Sequence, residues 1–339
     1  MKIILLLRLL IMRIKLFYCG CLFAFLLASK VTKGQNDAQL GHSTLWPNLN
    51  NPAALECYKA PLAGADLRIQ WLGIEGQPFT QTVFAQMPIP STKLFGGIVI
   101  ANELAGAHQV LHTDFQFALP IMVKKQLVQI GASVGFIQYS LEGAKLRAAD
   151  GVYTDNALLH NDPNLASNTL GRFVPNLNVG IKSTWNAFSL NVGIEHLYAS
   201  KIKLIAPSGN ALIQYTPLFH LGLNYNWPLQ INDWQFKSAI WYKSNVSKAM
   251  LDWQTFATYQ EKWRFGMIIR GFSPRNLDAA GALFGYILNE RMQLNYSFEW
   301  PINSLSQVSY GTQELSLVYK LQEPPPPTRG KIIFSPRFL

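Results

Sequence analysis

Polar and apolar residues alternate with period two through most of the chain. In FSLNVGIEHL, Phe188, Leu190, Val192 and Ile194 share one face, and Ser189, Asn191, Gly193 and Glu195 share the other. FHLGLNYNW sets Phe219, Leu221, Leu223, Tyr225 and Trp227 against His220, Gly222, Asn224 and Asn226. WRFGMIIR sets Trp263, Phe265, Met267 and Ile269 against Arg264, Gly266, Ile268 and Arg270. MQLNYSFEW sets Met292, Leu294, Tyr296 and Phe298 against Gln293, Asn295, Ser297 and Glu299. Such runs, bounded by turn residues, predict strands. They fall at roughly 66–74, 78–87, 93–102, 109–119, 126–140, 174–185, 188–197, 216–228, 234–243, 251–258, 263–271, 278–287, 291–299 and 312–321, about fourteen in all.

Alternation suits both a soluble sandwich and a membrane barrel. Here the polar faces carry Asn, Gln, Ser and Gly with few charges, and charged residues are only 14% of the chain against a usual value of about 25%. Aromatics reach 12% and gather at strand ends, at Trp71, Phe79, Trp227, Trp234, Trp263 and Trp300, where interfacial girdles belong. An arginine facing lipid at mid-membrane costs about 2–4 kcal/mol, which turns Arg264 and Arg270 inward and the aromatics outward. The connections agree. With an even strand number, 88–92, 186–187, 229–233 and 288–290 lie at one end and are short, while 141–173, 198–215 and 300–311 lie at the other and are long. Short periplasmic turns and long extracellular loops are the outer-membrane pattern. The predicted fold is all-β, a transmembrane antiparallel outer-membrane β-barrel over 66–321, integral, with both termini periplasmic and membrane lipid as a partner. A periplasmic N-terminal segment over 35–65 precedes it.

The first residues change the reading of charge. Lys2, Arg8, Arg13 and Lys15 precede or enter an apolar stretch that runs from Leu16 to Ala28, and polar residues follow. This is the pattern of a secretory signal peptide, 1–34, with cleavage expected between Ser29 and Gln35. That segment holds six basic and no acidic residues, so its loss takes the net charge from +10 to +4. Nothing in the remainder calls for a nucleic-acid partner. Cys57 is the single cysteine left, so no internal disulfide is expected.

Candidate chemistry is sparse, and neither cofactor nor metal is expected. GASVG at 131–135 has the Gly-x-Ser-x-Gly spacing of a nucleophile elbow, but Ser133 lies inside a predicted strand rather than at a strand-to-helix turn. His42, His108, His112, His160, His196 and His220 have no metal-ligand spacing, and Asp150, Asp155, Asp162 and Asn164 lack that of a calcium loop. Glu195, Lys237, Lys243, Arg264, Arg270 and Glu299 have inward parity. They either pair across the lumen and fill it or line a path.

One stretch is distinctive: NPAALE (51–56), then LRIQWLGIEGQPFTQTVFAQMPI (67–89), then FGGIVIANE (95–103). It resembles the PorP/SprF family of Bacteroidota. Asn51 and Pro52 match that family's Asn-Pro-Ala, and Arg68, Gln70, Trp71, Gly73, Ile74, Gly76, Pro78, Thr80 and Gln81 match its hairpin. HNDPNLASN (160–168) and VPNLNVGI (174–181) are also similar, with Asn178 at a place more often Gly. The resemblance covers about 37–321. It implies a non-enzymatic accessory barrel of type IX secretion and gliding motility, partnered by type IX components, that helps export or anchor a specific large secreted protein or adhesin. The other reading is a transporter or porin for small or hydrophobic solutes. The hairpin then serves either geometry, through Gly73, Gly76, Pro78 and an interfacial Trp71, or contact with a partner. The chain departs from the family after QELSLVYKL (313–321), continuing as QEPPPPTRGKIIFSPRFL. The tail 322–339 is expected to be periplasmic, with an extended Pro324–Pro327 spacer. It is either disordered or docks by strand addition.

Overall fold

The computed structural model describes residues 40–56, 60–124, 126–154, 157–162, 168–198, 201–206, 209–245, 249–273, 276–289 and 291–321. The expected signal peptide, Cys57, Asp155, Asn164 and the 322–339 tail lie outside them.

Eighteen strands form in chain order: β1 (Leu62–Ile69), β2 (Phe79–Pro88), β3 (Phe95–Ala105), β4 (His108–Val123), β5 (Gln126–Glu142), β6 (Val152–Thr154), β7 (Ala157–Leu159), β8 (Thr169–Trp185), β9 (Phe188–Glu195), β10 (Lys201–Ala206), β11 (Gly209–Gln214), β12 (Leu218–Ile231), β13 (Trp234–Ser244), β14 (Ala249–Tyr259), β15 (Trp263–Ser273), β16 (Asn276–Asn289), β17 (Met292–Pro301) and β18 (Thr312–Lys320). Fourteen close into one antiparallel barrel, each paired with its neighbour in sequence around the ring, and β1 pairs with β18 to seal it. This is the predicted barrel, with β1 starting four residues earlier than the alternation suggested. The remaining strands make two hairpins, β6–β7 and β10–β11, inside the long connections.

Closure satisfies the backbone, and alternation sorts the side chains. Outward positions are apolar and open: Val83 is 54% exposed, Ile181 50% and Met267 57%. Inward positions on the same strands, such as Thr82, Gly180 and Ile268, are buried. Tyr225 differs from its outward neighbours in being buried, because Phe188 and Trp227 cover its ring at centroid distances of 4.5 and 5.0 Å. One barrel end has tight turns. Asn232 and Asp233 both take positive φ between β12 and β13, the conformation that two-residue hairpin turns require and that Asn and Asp tolerate. Aromatic pairs ring this end, with Trp263 against Tyr286 at 4.4 Å and Trp234 against Tyr259 at 4.8 Å. The other end carries the long connections, 143–168, 196–217 and 302–311, beside short ones such as 106–107 and 245–248.

The lumen is filled from within. Every residue from Leu40 to Leu55 is buried or half-buried inside the barrel, where the sequence suggested a periplasmic segment. Two 3₁₀ turns, Pro47–Leu49 and Pro52–Ala54, shape this plug, each begun by a proline whose fixed φ suits the first helical position. The wall draws the plug in by supplying acceptors and donors that its irregular backbone needs. Gln254 Nε2 donates to the Gly41 carbonyl at 2.9 Å, Gln116 Nε2 to that of Asn48 at 2.8 Å and Gln129 Nε2 to that of Leu55 at 2.9 Å. Trp46 is buried among Leu62, Phe84, Val99 and Val318 of the wall. Towards the long-connection end, Ile202 of β10 and Tyr215 pack on Val110, Ile137, Tyr139 and Val174, an apolar cover above the plug.

Candidate functional site

The plug is seated by two devices. The first is a niche in the wall. Gly131, Gly180 and Gly193 stand side by side on β5, β8 and β9. A Cβ on Gly131 would come within 2.5 Å of the Pro52 carbonyl carbon, and one on Gly180 within 2.8 Å of Asn51 Cγ. The niche thus exists because these positions carry no side chain. Asn51 fills it: its Oδ1 accepts the Ala53 amide at 2.9 Å, capping the 3₁₀ turn, while Nδ2 donates to the Ile181 and Val192 carbonyls at 3.2 and 3.4 Å.

The second device is a buried charge network. Glu314 on β18 accepts the Gly41 amide at 2.7 Å and the His42 amide at 2.8 Å. His42 Nδ1 lies 2.8 Å from Asp66 Oδ2 and 3.3 Å from Glu314 Oε1. Arg68 on β1 bridges Glu299, at 2.7 Å, and Glu314, its cross-strand partner. Arg270 continues the network to Asp252 at 3.2 Å and Glu299 at 3.5 Å. It reaches Glu299 across β16 at Gly281, where a Cβ would crowd Glu299 Cγ at 2.8 Å. All seven side chains are 2% exposed or less. Burial at this depth requires pairing, because an isolated charge in such a site costs several kcal/mol.

His42 sits outside the membrane-spanning strands. Burial works to lower its pKa, but Glu314 and then Asp66 outweigh that and hold the imidazole above its ordinary value. Its donor atom, with one each from Asp66 and Glu314, falls within a 4.8 Å set able to hold a metal ion. In this structure the short His42–Asp66 contact and the two amides on Glu314 hold the three residues as an ion-pair cluster, with His42 Nε2 and Asp66 Oδ1 making no hydrogen bond.

The predicted residues divide accordingly. Asn51, Pro52, Arg68 and Thr80 are buried, so they act on the barrel's interior and present no surface to a partner. Gln70, Trp71, Gly73, Gly76, Pro78 and Gln81 gather around the β1–β2 loop at the long-connection end. Gln70 N donates to the Pro78 carbonyl at 2.8 Å, and Trp71 N to Thr312 Oγ1 at 3.2 Å. Gly73 and Gly76 take φ of +98° and +71°; Gly76 O accepts the Gly106 amide at 2.9 Å, and Leu72 exchanges two backbone bonds with the 310–311 loop. Gln81 Oε1 accepts from Asn102 at 3.2 Å.

The six charges all project into the lumen. Glu195 meets His220 at 3.1 Å, Lys243 holds Asn50 Oδ1 at 2.9 Å, Lys237 reaches the Thr44 carbonyl at 3.3 Å and Arg264 donates to Asn295 at 2.9 Å; Arg270 and Glu299 belong to the network. Sequence reasoning missed His42, Asp66, Asp252 and Glu314. The signal available was period-two parity, which turns Asp66, Asp252 and Glu314 inward on their strands. Ser133 is buried mid-strand and accepts from Asn178 at 2.8 Å, which is a structural placement rather than an elbow. Among the other histidines, His108 bonds Tyr139, and His112 lies 5.9 Å from His196 ring to ring.

Among solved structures, the chain is similar to the toluene transporter TodX of Pseudomonas putida, at 10% identity and a TM-score of 0.46, over 84% of this chain and 94% of that one. It is also similar to a Pseudomonas aeruginosa FadL homologue, at 11% identity and 0.44, over 80% and 93%. A third likeness is to the outer membrane protein Omp33 of Acinetobacter baumannii, at 7% and 0.44, over 77% and 98%. No curated protein matches the sequence. The family model for type IX secretion system membrane protein PorP/SprF matches residues 32–319, which cover the plug, its niche and every barrel strand but the last residue of β18. The chain therefore belongs to the PorP/SprF family of type IX secretion system membrane proteins, and is an integral outer-membrane β-barrel.

Proposed function

We propose that this barrel is an accessory of the type IX secretion system that helps export, or anchor at the cell surface, one specific large secreted protein, without catalytic activity of its own. Family membership supplies the system. The observation that carries the reading is the occupied lumen: the Leu40–Leu55 plug is held by hydrogen bonds to the wall and by a buried charge network, so the barrel is built to present its two ends rather than to pass solutes. The tight-turn end, on this reading, faces the periplasm, and the long connections, with the β1–β2 loop tied among them, face outward. On this reading the β1–β2 loop and the β6–β7 and β10–β11 hairpins are the surface offered to the cargo.

Quantitative proteomics of the medium and the cell surface, with and without the gene, tests it. Selective loss of one or a few large exported proteins is expected. An unchanged exported proteome would refute the reading, and solute uptake by the barrel would then be the assay to run.

A further inference from the structure

Among the described residues, one group of three side chains converges as metal ligands do: His42 of the plug, Asp66 of β1 and Glu314 of β18, each offering a donor atom within 4.8 Å of the others. No local spacing announces the set, since His42 lies 24 residues from Asp66 and 272 from Glu314. His42 Nδ1 stands 2.8 Å from Asp66 Oδ2 and 3.3 Å from Glu314 Oε1. Two donors on a tetrahedral zinc ion, bonded at about 2.0–2.1 Å, stand about 3.3–3.4 Å apart. The Glu314 oxygen is already at that spacing, and the Asp66 oxygen reaches it by moving about 0.5 Å. Asp66 Oδ1 points to the same chemistry. It is buried and accepts no hydrogen bond, although a buried carboxylate oxygen without a partner is costly. Glu314 is held as a ligating carboxylate should be: Arg68 and the Gly41 amide fix Oε2, and the His42 amide on Oε1 leaves that oxygen a second lone pair.

We propose that His42, Asp66 and Glu314 form a zinc site that clamps the plug to the wall, through His42 Nδ1, Asp66 Oδ2 and Glu314 Oε1. Asp66 Oδ1 is the donor left to complete four-coordination. Charge favours a divalent ion. The two carboxylates bring two negative charges and a neutral imidazole none, so the ion closes the set at zero, while Arg68 retains Glu299. Binding breaks the Nδ1–H bond and forms the Nδ1–zinc bond, and the proton leaves to solvent. An imidazole with few oxygens in a site at most 1% exposed suits zinc; calcium asks for about six to eight oxygens, and magnesium keeps several waters. One ligand residue comes from the plug and two from the wall, so an ion that binds only when the plug is seated stabilises the seated state by mass action. In a chelator the same side chains hold the plug as ion pairs alone.

The full mature barrel, carrying no histidine tag and refolded in detergent with zinc chloride, tests this. After passage over a chelating resin, elemental analysis should find about one zinc per barrel in the parent. H42Q and D66N should each retain at least about tenfold less. H42Q changes the plug and no strand, so it serves if D66N does not give the heat-resistant folded band. H108Q, which removes an exposed imidazole, should retain zinc like the parent. N51A loosens the plug at its other anchor and touches none of the ligands, so it should keep the stoichiometry and release zinc to EDTA several-fold faster. Cobalt in place of zinc reads the donors, and its spectrum should lack the near-ultraviolet charge transfer of a thiolate. Less than about a tenth of an ion per folded parent barrel, equal zinc in H42Q, or equal loss in H108Q would overturn the proposal. A thiolate band would move the ion to Cys57 and overturn it as well, and release from N51A at the parent's rate would overturn the clamp.

Discussion

Replacing Glu314 by Gln isolates the strength of the plug's seat. Gln has the shape of Glu, and Arg68 keeps Glu299 as a partner at 2.7 Å, so the wall loses the Arg68–Glu314 ion pair but not the guanidinium's other carboxylate. The plug does not. Glu314 accepts both the Gly41 and the His42 amides, and Gln offers a single oxygen. One buried N–H is orphaned and turned towards an NH₂ group, at about 1–3 kcal/mol, and the other bond loses its charge, at about 1 kcal/mol. A total of about 3 kcal/mol corresponds to about a hundredfold in the docking equilibrium. The probe is a cysteine at buried Ser43, in a chain whose Cys57 is Ser, labelled with a maleimide. Where opening is rapid and labelling slow, the rate reports the open fraction. The rate should rise about a hundredfold in E314Q, at constant heat-resistant gel mobility of the barrel. A rate within about threefold of the parent would refute the reasoning, as the plug would then not depend on these bonds. A rise that tracks loss of the folded band would refute it equally, by placing the damage in the wall.

Other tests follow from the same geometry. With its pKa raised, His42 contributes fully below the ordinary value of 6.5 and loses its contribution as pH rises through the folded value, so Ser43→Cys labelling, divided by the rate of an exposed reference cysteine whose thiolate fraction rises alike, should accelerate with pH, and that ratio should become flat in H42Q. Asn51→Ala removes the turn's cap, at about 0.5–2 kcal/mol, together with two bonds to the wall, and should expose the plug without changing barrel stability in urea. Gly180→Val meets Asn51 directly and should do the same, with N51A partly restoring folding yield in the double mutant. Val83→Arg places a charge on an open outward position at mid-strand and should cost about 2–4 kcal/mol in urea unfolding in bilayers, whereas Gln81→Arg, on the same face but two residues nearer the barrel rim, should cost less.

The barrel was legible because membrane strands write their two faces into the chain. In WRFGMIIR the cost of an outward arginine alone orients the strand, and the structure buries Arg270 while leaving Phe265 and Met267 open. The plug was not legible. GHSTLWPNLNNPAALE has neither period two nor a helical stripe, since each residue answers to a different wall position: Trp46 to Phe84, Asn50 to Lys243, Asn51 to the strand carbonyls. Such a segment reads as a linker. The charge network was hidden for a related reason: its members come from β1, β14, β15, β17, β18 and the plug, so no local spacing marks them. The β6–β7 and β10–β11 hairpins were missed because strands of three to six residues give alternation too little length to register.

The bonds from Gly41 and His42 to Glu314 join residues 273 and 272 positions apart, and Asp66 and Arg68 beside them lie on the strand that pairs with Glu314's own. The plug therefore grips both lips of the β1–β18 seam. A barrel assembled strand by strand has this seam open until last, with two bare edges that would otherwise invite foreign strands. Here a segment that precedes every barrel strand in the chain carries the contacts that bring those edges together. Zipping the wall and trapping its contents become one event, and a chain that loses its first turns would lose its guide for closing as well as its stopper.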